Sequence, residues 1–428
     1  MRLFSCACRW FVVGIVLSGT AALGASGPSF ADFDRKAREG APLNVVFFGA
    51  SLTWGANASD PMLTSYRAVI GQRLERAYPK ARFKFWDAAI GGTSSQLGVF
   101  RLERDVLRRR PDLVFLDFSA NDDIYSANAE RLASYESLVR RIILDAHAPV
   151  VPVIFPFQWD VAKGDTRGML RRDAHLAIAK AYHTAAGDAI ALAQARVRSG
   201  AATLGQLWPV DGVHPCDAGY VLFADAAWDA FQKAVADKLV CSAPARMLNA
   251  PTYMTNARVR LATLGPAPQG WQVGKPKVVS AFFDMLMSRW LDDELIASGK
   301  RSNASGKTAP LHLKLSASMV MLYGESTPGS AKYRVTLDGK IVPRKADDGK
   351  IVADEFDAAA FGKMLGGNAF LVQVLAEGLD PAVEHALEIQ PVFSGDGQQE
   401  LRLESICVAG GKAEASWLRA AEGAAGKR

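Results

Sequence analysis

Cysteine is scarce in this chain, and its count is odd where it matters. Five occur among 428 residues, and Cys6 and Cys8 lie in an N-terminal stretch that reads as removable. Cys216, Cys241 and Cys407 remain, which is no disulfide framework. Residues Asp217 to Leu239 read as one helix, so Cys216 and Cys241 would sit roughly 30 Å apart and cannot pair. A Cys241–Cys407 bridge stays open. No Cys/His spacing suggests zinc, so no metal is expected. Charge of one sign is lacking too: 50 Lys and Arg stand against 44 Asp and Glu. That balance gives no reason to expect a nucleic-acid partner. The cluster Arg108-Arg109-Arg110 precedes Pro111, where cations suit a helix end. Internal repeats are absent.

Long apolar runs are also missing, with one short exception. Trp10 to Leu23 follows Arg2 and Arg9 and is too short for a comfortable membrane span. Ser29-Phe30-Ala31 before Asp32 offers a cleavage site. Residues 1–31 are therefore expected to be a signal peptide, and the protein secreted or periplasmic. No stable membrane insertion is expected after its removal; a retained anchor is the alternative.

What is present is a chain long enough for two or three domains. Strand and helix patterns alternate from about residue 42. Strands are expected at Leu43–Phe48, Phe83–Ala88, Leu113–Phe118, Val150–Phe155 and, weakly, Ala189–Ala193. Helices are expected between them, and a last one after His214. Such alternation predicts a parallel five-stranded sheet covered on both faces. The pattern changes after about residue 245. Leu311 to Met321 alternate apolar and polar, as do Tyr333, Val335 and Leu337, and Asp338-Gly339 marks a hairpin turn. Further strand candidates are Phe370–Leu375, Ala386–Val392 and Leu401–Val408, while Phe282–Ile296 is ambiguous. Residues 32–245 are thus read as an α/β domain. Residues 246–428 are read as an antiparallel β-sandwich with a frayed Ala-, Gly- and Lys-rich tail.

Ligands of open parallel sheets gather at the carboxyl ends of the strands. Ser51 follows the first strand, Gly91-Gly92 the second and Asn121 the third. Asp211-Gly-Val-His214-Pro precedes the last helix. Acyl transfer needs these types of residue together. A serine hydroxyl needs a base, which His214 supplies, and Asp211 can orient the imidazole. Backbone N–H groups of Ser51 and Gly92 and the Asn121 amide can receive an oxyanion. Each segment alone has a plain reading as a turn, a cap or a loop. Their order and their placement at strand ends single them out.

The blocks FFGASLTWG, AAIGGTSSQLG, FLDFSANDD and VDGVHPCDAGY resemble the four signature blocks of the SGNH, or GDSL-type, hydrolase superfamily over roughly residues 42–240. The resemblance implies a flavodoxin-like three-layer α/β sandwich, ester hydrolysis and no cofactor. It implies Ser51 as nucleophile, His214 as base, Asp211 as its partner, and Ser51, Gly92 and Asn121 as the oxyanion hole. Ala50 stands where the name motif has Asp, and Cys216 where a polar residue commonly follows His-Pro. The α/β-hydrolase fold places its serine in a Gly-X-Ser-X-Gly elbow well into the sheet, and Thr53 replaces that last glycine here.

The stretches YRVTLDGK, AEGLDPAVEHALEI and LRLESICVAG resemble jelly-roll accessory domains of bacterial carbohydrate esterases. Together with export, they point to O-acetyl removal from a polysaccharide. Alternatives are a short-chain lipid or aryl esterase, an O-acyltransferase on an exported glycan, and a non-catalytic glycan-binding module. Trp54, Trp159 and Trp208 lie near the motifs. Trp54 and Trp208 are candidates to line the substrate site, and Trp208 could equally be core. Oligomeric state is not readable from the sequence.

Overall fold

The computed structural model describes residues 27–277, 291–300, 308–345, 350–395 and 397–418. The signal-peptide expectation falls mostly outside them, as does most of Phe282–Ile296.

The first unit is a three-layer α/β sandwich. Its strands are β1 (Pro42–Gly49), β2 (Arg82–Ala89), β3 (Leu113–Leu116), β4 (Val150–Ile154) and β5 (Gly187–Asp188), in the order β2-β1-β3-β4-β5. Every pairing is parallel. β3 and β4 are buried along their whole length, as strands covered on both faces must be. The helices are α1 (Phe30–Arg38), α2 (Ser51–Trp54), α3 (Tyr66–Ala77), α4 (Ser95–Asp105), α5 (Ala129–Leu144), α6 (Gln158–Ala162), α7 (Leu170–Ala181), α8 (Ala189–Arg198), α9 (Leu204–Leu207) and α10 (Asp217–Ala236).

Two expected elements shift. Ala189–Ala193 is not the fifth strand but the start of α8. The Asp188 carboxylate accepts the Ala191 N–H and caps that helix, and alanine favours it. The strand shrinks to the two residues before the cap. At the N-terminus, the boundary expected after Ala31 falls inside α1. Ser29 caps this helix, and Phe30 and Phe33 are buried against Phe231 of α10.

The second unit is an antiparallel sandwich of two six-stranded sheets among the described residues. One sheet runs Ala369–Ala376, Met319–Ser326, Glu400–Ala409, Glu294–Ser298, Trp271–Gly274, with Asn256–Arg260 also on Glu400–Ala409. The other centres on Lys332–Leu337, His385–Val392 and Leu311–Ser316. Asp338 and Gly339 both adopt positive φ, 52° and 75°, as the hairpin turn requires. Glu414–Trp417, in the stretch expected to fray, pairs as a strand with Leu311–Ser316, and the rest of that stretch from residue 419 lies outside the described residues.

The run from Leu311 to Met321 belongs to two strands in two sheets, with the crossover at Ala317-Ser318. Met319–Ser326 is buried at every position. Val320 and Leu322 join the sandwich core, whereas Met319, Met321 and Tyr323 join the core of the α/β unit. Linker residues are clamped as well. The buried Glu136 of α5 accepts from the N–H groups of Leu248 and Asn249 and from the Asn249 amide. Cys216, Cys241 and Cys407 are free thiols, so the open Cys241–Cys407 bridge is not formed. Burial pushes Cys241 up to about 11 and Cys407 up to about 12.

Candidate active site

Ser51 opens α2, with only Ala50 between it and the end of β1. Ala50 precedes it in extended conformation, and its carbonyl accepts from the N–H groups of Thr53 and Trp54. The turn is tight. A Cβ at Gly49 would lie 2.1 Å from Thr53 Oγ1 and 2.6 Å from the Asp117 carbonyl oxygen, so only glycine fits. Ser51 is 5% exposed.

The loop before α10 brings His214 to this hydroxyl. His214 Nε2 lies 3.0 Å from Ser51 Oγ, and its Nδ1 lies 3.4 Å from Asp211 Oδ2. The Asp211 carboxylate organises the loop as well as the imidazole. Its Oδ1 accepts the N–H groups of Val213 and His214, both at 2.7 Å. Its Oδ2 also accepts from Asn57 Nδ2 at 2.7 Å. Burial opposes ionisation of Asp211, but these donors outweigh it and hold the carboxyl below its ordinary range. Burial lowers His214 below its usual value, and the Asp211 charge offsets only part of that. The imidazole is therefore neutral at neutral pH and can accept the serine proton.

On the neighbouring strand, β2 ends in the Gly91-Gly92 turn. Gly92 sits at φ 72°, a conformation that favours glycine. Asn121 lies in the turn after β3. Gly92 and Asn121 line a common cavity of about 360 Å³. Its far wall comes from the sandwich unit. A Cβ on Gly92 would lie 3.1 Å from the Phe361 ring and 3.7 Å from that of Phe370, and the two rings meet edge to face at 5.0 Å. The sequence did not indicate that the second unit would reach this rim.

The tryptophans separate. Trp208 is 3% exposed and packs in the core with Phe223, which is the core reading left open for it. Trp54 is half-buried beside Ser51, and its carbonyl accepts from Arg67 Nε. Trp159 is 49% exposed and lies against the loop that carries Asp211 and His214. Its ring would be 3.1 Å from a Cβ on Gly212, and the Gln158 N–H donates to the Gly212 carbonyl at 2.8 Å. Two site residues escaped the sequence reading. Asn57 could have been suspected only as an asparagine in a loop, since its φ of 65° is not written in the sequence. Asp117 lay unremarked within FLDFSANDD. Among the described residues no group of His, Cys, Asp and Glu is arranged to hold a metal ion. No helix of the described residues is long and apolar enough to cross a membrane.

Residues 47–222 match the model of the GDSL-like lipase/acylhydrolase family. Among solved structures, a two-domain esterase active on acetylated mannans, co-crystallised with mannopentaose, is 22% identical. It covers 91% of this chain and 98% of its own, with a TM-score of 0.69. A second structure of a two-domain esterase active on acetylated mannans gives 23% identity, 90% and 95% coverage and a TM-score of 0.68. An acetylxylan esterase from Geobacillus stearothermophilus aligns over 45% of this chain and 96% of its own, at 21% identity and a TM-score of 0.36. The comparison with curated proteins returned no match.

Proposed function

We propose that this carboxylic ester hydrolase, which carries a GDSL-like lipase/acylhydrolase domain, is a secreted serine esterase that removes O-acetyl groups from a polysaccharide. The observation that carries the chemistry is the 3.0 Å contact between His214 Nε2 and Ser51 Oγ, continued through Nδ1 to Asp211. His214 takes the proton as Ser51 Oγ attacks the ester carbonyl. The oxyanion that forms is received by the N–H groups of Ser51 and Gly92 and the Asn121 amide. The imidazolium, held by Asp211, then protonates the leaving sugar hydroxyl, and the acetyl group stays on Ser51. Water, deprotonated by His214, releases acetate and restores the serine.

Two observations favour a glycan as the alcohol half. The fold, in both its units, is shared with esterases active on acetylated mannans. The indole of Trp159 is anchored by the catalytic loop yet half exposed, and amphipathic rings of this kind stack on sugar faces. Export rests on the signal-like residues 1–31.

The experiment is acetate release from acetylated mannan, xylan and pectin by the purified protein, beside hydrolysis of p-nitrophenyl acetate. Ser51→Ala is expected to abolish both. Release from none of the polymers, with good activity on longer-chain nitrophenyl esters, would overturn the glycan reading. Ester hydrolysis surviving Ser51→Ala would overturn the assignment of the nucleophile.

A further inference from the structure

We propose that Asp117 is a positioning residue that locks the helix bearing Ser51 to the turn bearing Asn121. The proposal rests on the reading of Ser51 as nucleophile and Asn121 as oxyanion donor.

Asp117 directly follows β3 and is 1% exposed. Its two carboxylate oxygens face two different segments. Oδ2 accepts from the Thr53 hydroxyl at 3.2 Å, and Thr53 is two residues after Ser51 in the single turn of α2. Oδ1 accepts from both the N–H and the hydroxyl of Ser119, each at 3.2 Å, and Ser119 is two residues before Asn121. Ser119 Oγ in turn accepts the Phe155 N–H at 2.9 Å, just beyond β4. The main chain of Asp117 is tied to the same place, because its N–H donates to the Phe48 carbonyl at 2.9 Å. One carboxylate therefore spans the nucleophile helix and the donor turn, with the end of β4 as a third anchor.

A buried carboxylate is an expensive way to fill space. Burial pushes Asp117 up to about 7, and its hydrogen bonds from Thr53 and Ser119 only partly oppose this. The nearby Asp122 carboxylate raises it further. An apolar residue would fill the space without that cost. What it could not do is accept from two chain segments at once. Acyl transfer is sensitive to the distance between nucleophile and oxyanion donors, and misplacement by about 1 Å costs on the order of 100-fold in rate. The Thr53–Asp117–Ser119 link fixes that distance through fixed hydrogen bonds rather than through packing alone.

The test is a double-mutant cycle on p-nitrophenyl acetate hydrolysis with Thr53→Val and Asp117→Ala, each variant first shown to be folded by circular dichroism. Each single change is expected to lower kcat about 10-fold or more with KM within about two-fold, because the link acts on the reacting geometry and not on ester binding. The double variant is expected to be no slower than the slower single one, since both cut the same link. Asp117→Asn, which keeps an acceptor for Ser119 and a group able to bond Thr53 Oγ1, is expected to recover most of the loss. Unchanged kcat in folded single variants, losses that multiply in the double variant, or a loss confined to KM would each overturn the proposal. Should Asp117→Ala fail to fold, Thr53→Val, which removes one hydroxyl at constant shape, and Asp117→Asn decide the matter by their kcat alone. Ser51→Ala run in parallel separates the outcomes: activity surviving it refutes the reading of the nucleophile, not the link.

Discussion

Asn57 donates its side-chain amide at 2.7 Å to Asp211 Oδ2, the oxygen that faces His214 Nδ1, from a backbone held at φ 65°. It thereby helps to keep the Asp211 carboxylate ionised and turned toward His214, and it does so from the loop that follows α2. Asn57→Ala is expected to lower kcat about 10-fold, comparable to loss of a hydrogen bond to a charged group. Alanine is also strained at positive φ, so Asn57→Gly is the control. Steady-state kinetics on p-nitrophenyl acetate should show similar losses for both. A glycine variant as fast as wild type would assign the role of Asn57 to backbone conformation alone.

Because burial lowers His214, its base form persists below the ordinary histidine range. The protonated imidazolium cannot take the serine proton. The acid limb of kcat/KM is therefore expected below pH 6.5, with activity lost as pH falls through it. Asp211→Asn removes the charge that raises His214. It should move the limb further down while cutting the plateau strongly, about 10⁴-fold in a comparable triad. A pH–rate profile of both proteins checks both directions.

Asp117 has the opposite sign of linkage. Its folded-state value is about 7 against an ordinary 3.8, so between about pH 4 and 7 the unfolded chain has released a proton that the native chain keeps. Stability is therefore expected to fall as pH rises through that window, by an amount of order 2–4 kcal/mol. Asp117→Asn carries no titrating proton and should flatten this part of the profile. Urea midpoints at pH 5 and pH 8 for both proteins provide the comparison.

Trp159 should matter for polymer and little for a small ester. Trp159→Ala is expected to raise KM for acetylated polysaccharide several-fold more than KM for p-nitrophenyl acetate, consistent with loss of about 1 kcal/mol or more of stacking. Equal shifts on both substrates would remove the ring from sugar binding.

The α1 packing yields a stability test of the N-terminal boundary. A chain beginning at Asp32 lacks the Ser29 cap and the buried Phe30, whereas one beginning at Gly27 keeps both. Loss of a buried phenylalanine costs about 3–5 kcal/mol, so the shorter chain should melt several degrees lower. Equal melting temperatures would show that α1 adds nothing to the core.

The parallel sheet and the rim positions of Ser51, Gly92, Asn121 and His214 were legible because both follow from local pattern. Strand-helix alternation sets the sheet, and strand ends set the rim. What was hidden depends on contacts between distant segments. Asp188 turns an alanine-rich strand candidate into a helix through one side-chain cap. The alternation of Leu311–Met321 is real, but no local signal says that the chain changes sheets at Ala317 and so changes partners. Trp208 and Trp159 are equal in composition, and only the fold sends one to the core and leaves the other at the rim. Phe361, some 270 residues from Gly92, reaches it only through the docking of the second unit.

The strand Met319–Ser326 has a consequence for how this protein can be divided. Successive side chains on it serve two different interiors, so neither interior is complete without it. Cutting the chain near residue 245 would strip α4 and α5 of their cover and leave an apolar surface open to water. The two units should therefore melt in one transition. In heredity as in the test tube, the catalytic half should not travel as an independent module: a gene fragment ending at the apparent boundary would encode a protein prone to aggregate rather than a smaller esterase.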